Sequence, residues 1–126
     1  MIINQDTICA IATAQGGALG LIRVSGTEAI QLTDSIFKPA NPKQKLAQQV
    51  PYSLTFGCIY DKEEIIDEVL VSIFHAPHSY TGENSVEITC HGSPYILQKT
   101  LQLLIDNGGR MAEPGEYTQR AFLNGR

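Results

Sequence analysis

Two charged side chains interrupt segments that otherwise have the composition of buried β-strands. Arg23 lies in the run GLIRVSG and Glu87 in the run SVEITCHG. Such charges must be paired or reach water, because removing one partner of a buried ion pair costs about 3–5 kcal/mol. The two residues therefore pair with each other, lie at the surface, or face a ligand cleft. In a cleft, a carboxylate can accept two parallel N–H bonds from a flat heterocycle, and a guanidinium can bind an anion.

A second group of residues has the chemistry of a metal site. His75 and His78 have H-x-x-H spacing, and Cys90 precedes His91 directly. Neighbouring residues on a strand point to opposite faces, so Cys90 and His91 could not hold one zinc ion without a bulge. The same geometry argues against a Cys90 nucleophile activated by His91. We therefore predict no metal site and no catalytic residue in this chain, and we interpret Cys90 as a buried structural thiol.

The motifs that bind nucleotides or hydrolyse esters and peptides do not occur in the sequence. It contains no G-x-x-x-x-G-K-[ST] P-loop, no G-x-S-x-G and no H-E-x-x-H. The glycine-rich segment 15–20 precedes a predicted strand, whereas phosphate usually binds at a helix N-terminus. We interpret this segment as a tight turn between paired strands.

The elements that must position these residues follow from the spacing of apolar side chains. Strands are predicted at 7–13, 18–25, 52–60, 68–75 and 86–91, and helices at 27–37, 94–106 and 116–123. The polar segment 41–51 is predicted to be a loop. Because this order does not repeat a βαβ unit, the predicted fold class is α+β. We expect one domain over residues 1–126, with a mixed sheet and about three helices.

Composition and charge narrow the class of protein. Thirteen acidic and nine basic residues give a net charge of -4, which argues against nucleic-acid binding by this domain alone. The three cysteines lack C-x-x-C spacing, which is typical of a reduced cytoplasmic compartment. The start of the chain lacks a basic signal region, and no apolar run reaches the roughly 20 residues of a membrane span. We expect a cytoplasmic protein outside the membrane.

Five segments of the chain match the pattern of a known family. They are DTICAIAT at 6–13, GLIRVSG at 20–26, APHSYTGE at 76–83, VEITCHG at 86–92 and EPGEYTQRAFLNG at 113–125. Together they make the chain resemble the amino-terminal domain of the MnmE (TrmE) family of tRNA-modifying GTPases. The resemblance extends over essentially the whole chain.

The resemblance implies a larger protein of three parts. The amino-terminal domain would be similar to folate-binding aminomethyltransferase modules and would form a homodimer. A helical domain with an inserted Ras-like GTPase domain would complete the protein, a GTP hydrolase. GTP, magnesium and potassium are expected only for that GTPase domain, which this chain lacks. The complete protein would act with the flavoprotein MnmG (GidA) on C5 of the wobble uridine of certain tRNAs, which it would contact through the full complex.

The resemblance also implies the ligand and its contacts. By position, the folate contacts of the family fall on Arg23, Glu87 and Arg126, and the ligand would be 5-formyl-tetrahydrofolate or a related one-carbon donor at the dimer interface. We expect Glu87 to bind the donor edge of the pterin, and the two arginines to bind its polar or carboxylate parts. Three positions differ from the family: Arg126 replaces a lysine, Ser93 a glycine and Asn84 an acidic residue.

Two alternatives to a folate-binding dimerisation module remain open. One is a stand-alone folate-dependent aminomethyl or methyl transferase, or a metal hydrolase. The other is a purely structural dimerisation module. No constellation in the sequence supports independent catalysis.

Overall fold

A computed structural model describes residues 6–14 and 16–125 of the chain. The described residues form seven strands, three α-helices and a short 3-10 helix at Leu46–Gln48. The strands are β1 (Ile8–Ile11), β2 (Leu19–Ser25), β3 (Phe37–Pro39), β4 (Thr55–Asp61), β5 (Glu64–Phe74), β6 (Ser85–His91) and β7 (Arg110–Met111). The helices are α1 (Ala29–Asp34), α2 (Pro94–Asp106) and α3 (Glu116–Leu123). None of the described helices has the length and apolar character needed to cross a bilayer.

All of these strands belong to one sheet. Their order is β3-β4-β5-β6-β2-β1-β7. Neighbouring strands are antiparallel except β1 and β7, which are parallel. The sheet is therefore mixed, and the predicted α+β class is confirmed. Strands β6 and β2 lie near its centre, so Glu87 and Arg23 lie on central strands and not at an edge of the sheet.

The hydrophobic core lies between one face of the sheet and helices α1 and α2. Alternate residues of the central strands point into it, and α2 contributes a helical stripe, as the residues Ile22, Val24, Val86, Ile88, Leu97, Leu101 and Leu104 show. This alternation is what burial of one sheet face requires. The opposite face, which carries Arg23 and Glu87, is covered by neither α1 nor α2. We call it the open face.

Helices α2 and α3 have the predicted boundaries, because local signals set them. Ser93 lies at the N-cap of α2, where its hydroxyl accepts a long hydrogen bond from the backbone N–H of Ile96, and Pro94 is the first helical residue. The serine that differs from the family pattern thus has a capping role. Gly115, in a left-handed conformation, precedes α3.

The prediction was wrong around residue 37. The helix expected at 27–37 ends at Asp34, and Phe37–Pro39 forms the edge strand β3, which pairs with β4. Phe37 fits an apolar helical stripe but reaches the core from the edge strand, so the pattern alone could not distinguish the two. The loop predicted at 41–51 contains the 3-10 helix, whose Leu46 is 1% exposed and packs in the core.

Gly57, in β4, is expected to tolerate an added methyl group poorly. A Cβ there would collide with the backbone oxygen of Lys38 and the ring of Phe37 in β3. We expect Gly57→Ala to lower the free energy of unfolding by about 1–3 kcal/mol in urea denaturation, as overpacking usually does. Gly20→Ala is the comparison variant, because the nearest atoms to its Cβ belong to the side chain of Leu97 and not to backbone, so a smaller loss is expected. A larger loss for Gly20→Ala would contradict this account.

Candidate functional site

Arg23 and Glu87 are directly opposite each other on β2 and β6. The Nη2 and Nε atoms of Arg23 donate to Oε2 of Glu87 at 3.0 and 3.2 Å. Both bonds use the same carboxylate oxygen, and among the described residues no donor reaches Oε1. Pairing, one of the alternatives that the sequence leaves open, is observed, and Oε1 of Glu87 accepts no hydrogen bond from the described residues. Arg126, the third predicted contact, lies outside the described residues.

The same pair lines a pocket on the open face. The pocket has a volume of about 210 Å³ and is lined by Arg23, Tyr52, Phe74, Ser79, Tyr80, Ser85 and Glu87. The rings of Tyr52 and Phe74 meet edge to face, with centroids 5.3 Å apart. Aromatic walls with a few convergent polar groups are what a small flat ligand needs. The ion pair therefore lies in the wall of a pocket, so pairing does not exclude a position in a cleft.

Two tyrosine rings, one of them from helix α3, contact the side chain of Arg23. The guanidinium carbon of Arg23 lies 5.4 Å from the centre of the Tyr80 ring and 5.9 Å from that of Tyr117. The hydroxyl of Tyr117 donates to the backbone oxygen of Arg23 at 2.6 Å. Burial raises the pKa of Tyr117, so this phenol stays a neutral donor at physiological pH. Two aromatic rings thus hold the cation in place.

A group of charged residues, of which Glu116 and Arg120 are buried, attaches α3 to the rest of the domain. It consists of Asp6, Glu83, Arg110, Glu116 and Arg120, and we call it the anchor cluster. Arg120 Nη2 lies 2.8 Å from Asp6 Oδ1 and 3.1 Å from Glu116 Oε2, and Arg110 Nη2 lies 2.6 Å from Glu116 Oε2. The hydrogen bond from Arg110 is the main cause that lowers the pKa of Asp6 and of Glu116, so both are ionised at neutral pH.

The comparisons with known proteins agree with this architecture. The sequence profile described as GTP-binding protein TrmE N-terminus matches residues 7–126. The chain belongs to the family of TrmE N-terminal domains. The resemblance to the MnmE (TrmE) family found in the sequence is therefore confirmed.

Several bacterial proteins are similar to this TrmE N-terminal domain. The tRNA modification GTPase MnmE of Bacteroides thetaiotaomicron is 73% identical over 124 residues, 98% of this chain and 27% of that protein. The proteins of the same name from Parabacteroides distasonis and Chlorobaculum tepidum are 55% and 50% identical, over 97% and 94% of this chain and 27% and 25% of their own lengths. The chain thus spans about a quarter of the relatives it matches.

Cys90 and His91 of this TrmE N-terminal domain point to opposite faces of β6, as predicted. Cys90 is buried in the core, whereas His91 is exposed on the open face. His91 Nδ1 lies 2.7 Å from Asp67 Oδ1, and the His91 backbone N–H donates to Asp67 Oδ2 at 2.8 Å. Within the described ranges no group of three or more His, Cys, Asp or Glu is arranged to hold a metal ion. Asp67 had no role in the sequence-based hypothesis, because its position depends on how β5 and β6 pair.

The three thiols are expected to differ strongly in reactivity. Burial raises the pKa of Cys9 and of Cys90 to about 11, whereas Cys58 is partly exposed on β4. A thiol with a pKa of about 11 is ionised in roughly one molecule in ten thousand at pH 7. A disulfide reagent should therefore label Cys58 in a fast phase, and the other two only after unfolding. In Cys58→Ser the fast phase should disappear; its persistence would contradict the burial of Cys9 and Cys90.

Proposed function

We propose that the pocket around Arg23 and Glu87 binds the pterin ring of a tetrahydrofolate, of the 5-formyl-tetrahydrofolate type. The observation that carries this proposal is the open Oε1 of Glu87 inside a pocket with aromatic walls. The pterin edge presents a ring N–H beside an amino group, and an ionised carboxylate is the acceptor that matches such a donor pair. Arg23 neutralises the carboxylate and orients it.

The size of the pocket defines which part of the ligand it holds. Sites for drug-sized ligands usually have volumes of about 300–1,000 Å³, and this pocket has about 210 Å³. It suits a two-ring head, while the aminobenzoyl and glutamate parts would lie outside it on the open face. There Arg126, which follows α3 by a few residues, would meet a glutamate carboxylate.

We infer the wider role from the relatives, whose name is tRNA modification GTPase. The complete protein would be a cytoplasmic GTP hydrolase that acts with the flavoprotein MnmG on C5 of the wobble uridine of certain tRNAs. GTP, magnesium and potassium would bind to residues outside these 126. This chain would contribute the bound one-carbon donor and the homodimer contact.

Calorimetric titration with 5-formyl-tetrahydrofolate tests the pocket. Glu87→Gln should weaken binding by about tenfold to a hundredfold, because a hydrogen bond to a charged group contributes roughly 1.5–3 kcal/mol. The control is Glu68→Gln, which removes the same charge on β5 at a position that does not line the pocket.

Each result of the titration has a distinct meaning. Equal affinity of Glu87→Gln and wild type would show that Glu87 does not hold the pterin. No binding by the wild-type chain would favour the purely structural dimerisation module. Turnover of a folate substrate by this chain alone would favour the stand-alone transferase.

A further inference from the structure

Three hydroxyl groups form a buried cluster behind the wall of the pocket. Ser25 Oγ lies 2.6 Å from Thr81 Oγ1, and Ser85 Oγ lies 3.3 Å from Thr81 Oγ1 and 3.4 Å from Ser25 Oγ. Ser85 also lines the pocket. Ser25 Oγ donates to Oε1 of Glu83 at 2.9 Å. The cluster therefore connects the wall of the pocket to the carboxylate of Glu83.

Arg120 of α3 holds that carboxylate. Its Nη1 lies 3.3 Å from each oxygen of Glu83 and donates to the backbone oxygen of Asp6 at 2.7 Å. The Arg120 side chain is only 5% exposed. A buried guanidinium must be paired on every side, so its own position is closely determined by the anchor cluster. Because its position is fixed, Arg120 can also fix the position of the Glu83 carboxylate.

The segment that Glu83 belongs to forms part of the pocket without belonging to a strand or helix. Segment 79–84 supplies Ser79 and Tyr80 to the pocket, and it is bonded to α3 and to the residue that follows α3. Tyr80 shares a hydrogen bond of 2.8 Å with Thr118, and Asn124 donates to the backbone oxygen of Thr81 at 3.0 Å. Irregular backbone of this kind keeps one conformation only where side chains satisfy it.

We propose that Arg120 is a positioning residue for the folate pocket. It does not line the pocket, but through Glu83 and the hydroxyl cluster it holds segment 79–85 in the conformation that shapes the wall. The proposal rests on the proposed folate function for its ligand, and on the structure alone for the ordering of the segment.

Arg110 provides a matched control inside the same cluster. It pairs with Asp6 and Glu116, as Arg120 does, but it has no contact with Glu83. Arg120→Lys and Arg110→Lys both keep the charge and lose the planar fork that bridges several oxygens. Both variants should lose some stability, yet only the first should disturb the pocket.

Amide hydrogen exchange and folate titration distinguish the two variants. The backbone N–H of Glu83 donates to Thr81 Oγ1 at 3.3 Å, so it reports directly on the cluster. In Arg120→Lys, exchange in segment 79–85 should be at least about tenfold faster and folate binding about tenfold weaker, each equal to about 1.4 kcal/mol. Arg110→Lys should stay within about twofold of wild type in both measurements. Glu83→Gln, which keeps the shape of the side chain, should behave like Arg120→Lys and replaces it if that variant does not fold.

Every outcome decides the proposal. Unchanged exchange in segment 79–85, or the same acceleration in Arg110→Lys, would overturn it. Faster exchange with unaltered folate affinity would also overturn it, because the segment would then not shape the site. If wild type binds no folate but exchange still accelerates only in Arg120→Lys and Glu83→Gln, the folate assignment fails while the positioning of the pocket wall stands.

Discussion

Glu116→Ala is expected to lower the free energy of unfolding by about 3–5 kcal/mol, the usual cost of removing one partner from a buried ion pair. Glu116 binds both arginines of the anchor cluster and accepts the backbone N–H of Glu113 at 2.9 Å. Without it, the buried Arg120 keeps fewer acceptors than it needs. Arg110 is about one-third exposed and can turn to water, so we expect the lower end of the range.

Urea denaturation measures this effect, and Glu113→Ala is the control. Glu113 is exposed and contacts Glu116 only through its backbone, so its substitution should change stability by no more than about 0.5 kcal/mol. Equal losses in the two variants would show that the anchor cluster contributes no more to stability than an ordinary surface charge.

The pH dependence of the same difference tests its electrostatic origin. The pKa of Glu116 is lowered from its model-compound value of 4.5, chiefly by the hydrogen bond from Arg110. A lowered carboxyl pKa adds stability that is present above the unfolded value and is lost as pH falls through the folded value. The gap between wild type and Glu116→Ala should therefore narrow below about pH 4.5. A gap that stays constant into acid would assign the loss to packing.

The contrast between α2 and the anchor cluster shows what can be predicted from the sequence. Ser93 and Pro94 are local signals, so the start of α2 could be placed at the correct residue. Asp6 and Arg110 are 104 residues apart and meet only because β7 pairs with β1. A two-residue strand such as β7 leaves no periodic pattern, so that contact could not be predicted.

The candidate site stands between these cases. Arg23 and Glu87 were identifiable as charges within apolar strands, but their hydrogen bonds depend on the register of β2 against β6, which sequence periodicity does not determine. Tyr52 and Phe74 reach the pocket from outside the family motifs, and no signal in the sequence marked them. The residue types of the candidate site could be predicted from the sequence, but the contacts between those residues could not.

A largely apolar row of side chains lies on the open face, and we call it the apolar row. Within the described part of the chain, neither α1 nor α2 covers it. Leu21, Thr89, Leu70 and Phe56 are cross-strand neighbours on β2, β6, β5 and β4, and Phe56 is 48% exposed. Leu21, Thr89 and Leu70 are partly exposed, and apolar surface that other residues leave uncovered is suited to an interaction with a partner. We propose that a second copy of the chain covers it. The row carries no charge, so it can face its own symmetry mate across a twofold axis.

If this proposal is right, Phe56→Glu is expected to convert the proposed dimer to monomer. In a twofold dimer each substitution occurs twice in the interface, so two carboxylates would be buried near each other. We expect this to cost several kcal/mol and to weaken association by about a hundredfold or more. Sedimentation velocity across a concentration series measures this change. Tyr95→Glu is the control, since it places the same charge on an exposed aromatic residue of α2, on the opposite side of the sheet.

The Phe56→Glu experiment also tests how the proposed dimer contact is related to the pocket. Glu87 and Thr89 are alternate residues of β6 on the open face, so the apolar row begins where the pocket ends. If the row is the dimer contact, the folate tail outside the pocket meets the second copy, and Phe56→Glu should weaken folate binding together with association. Association unaffected by Phe56→Glu, or lost equally in Tyr95→Glu, would place the contact elsewhere.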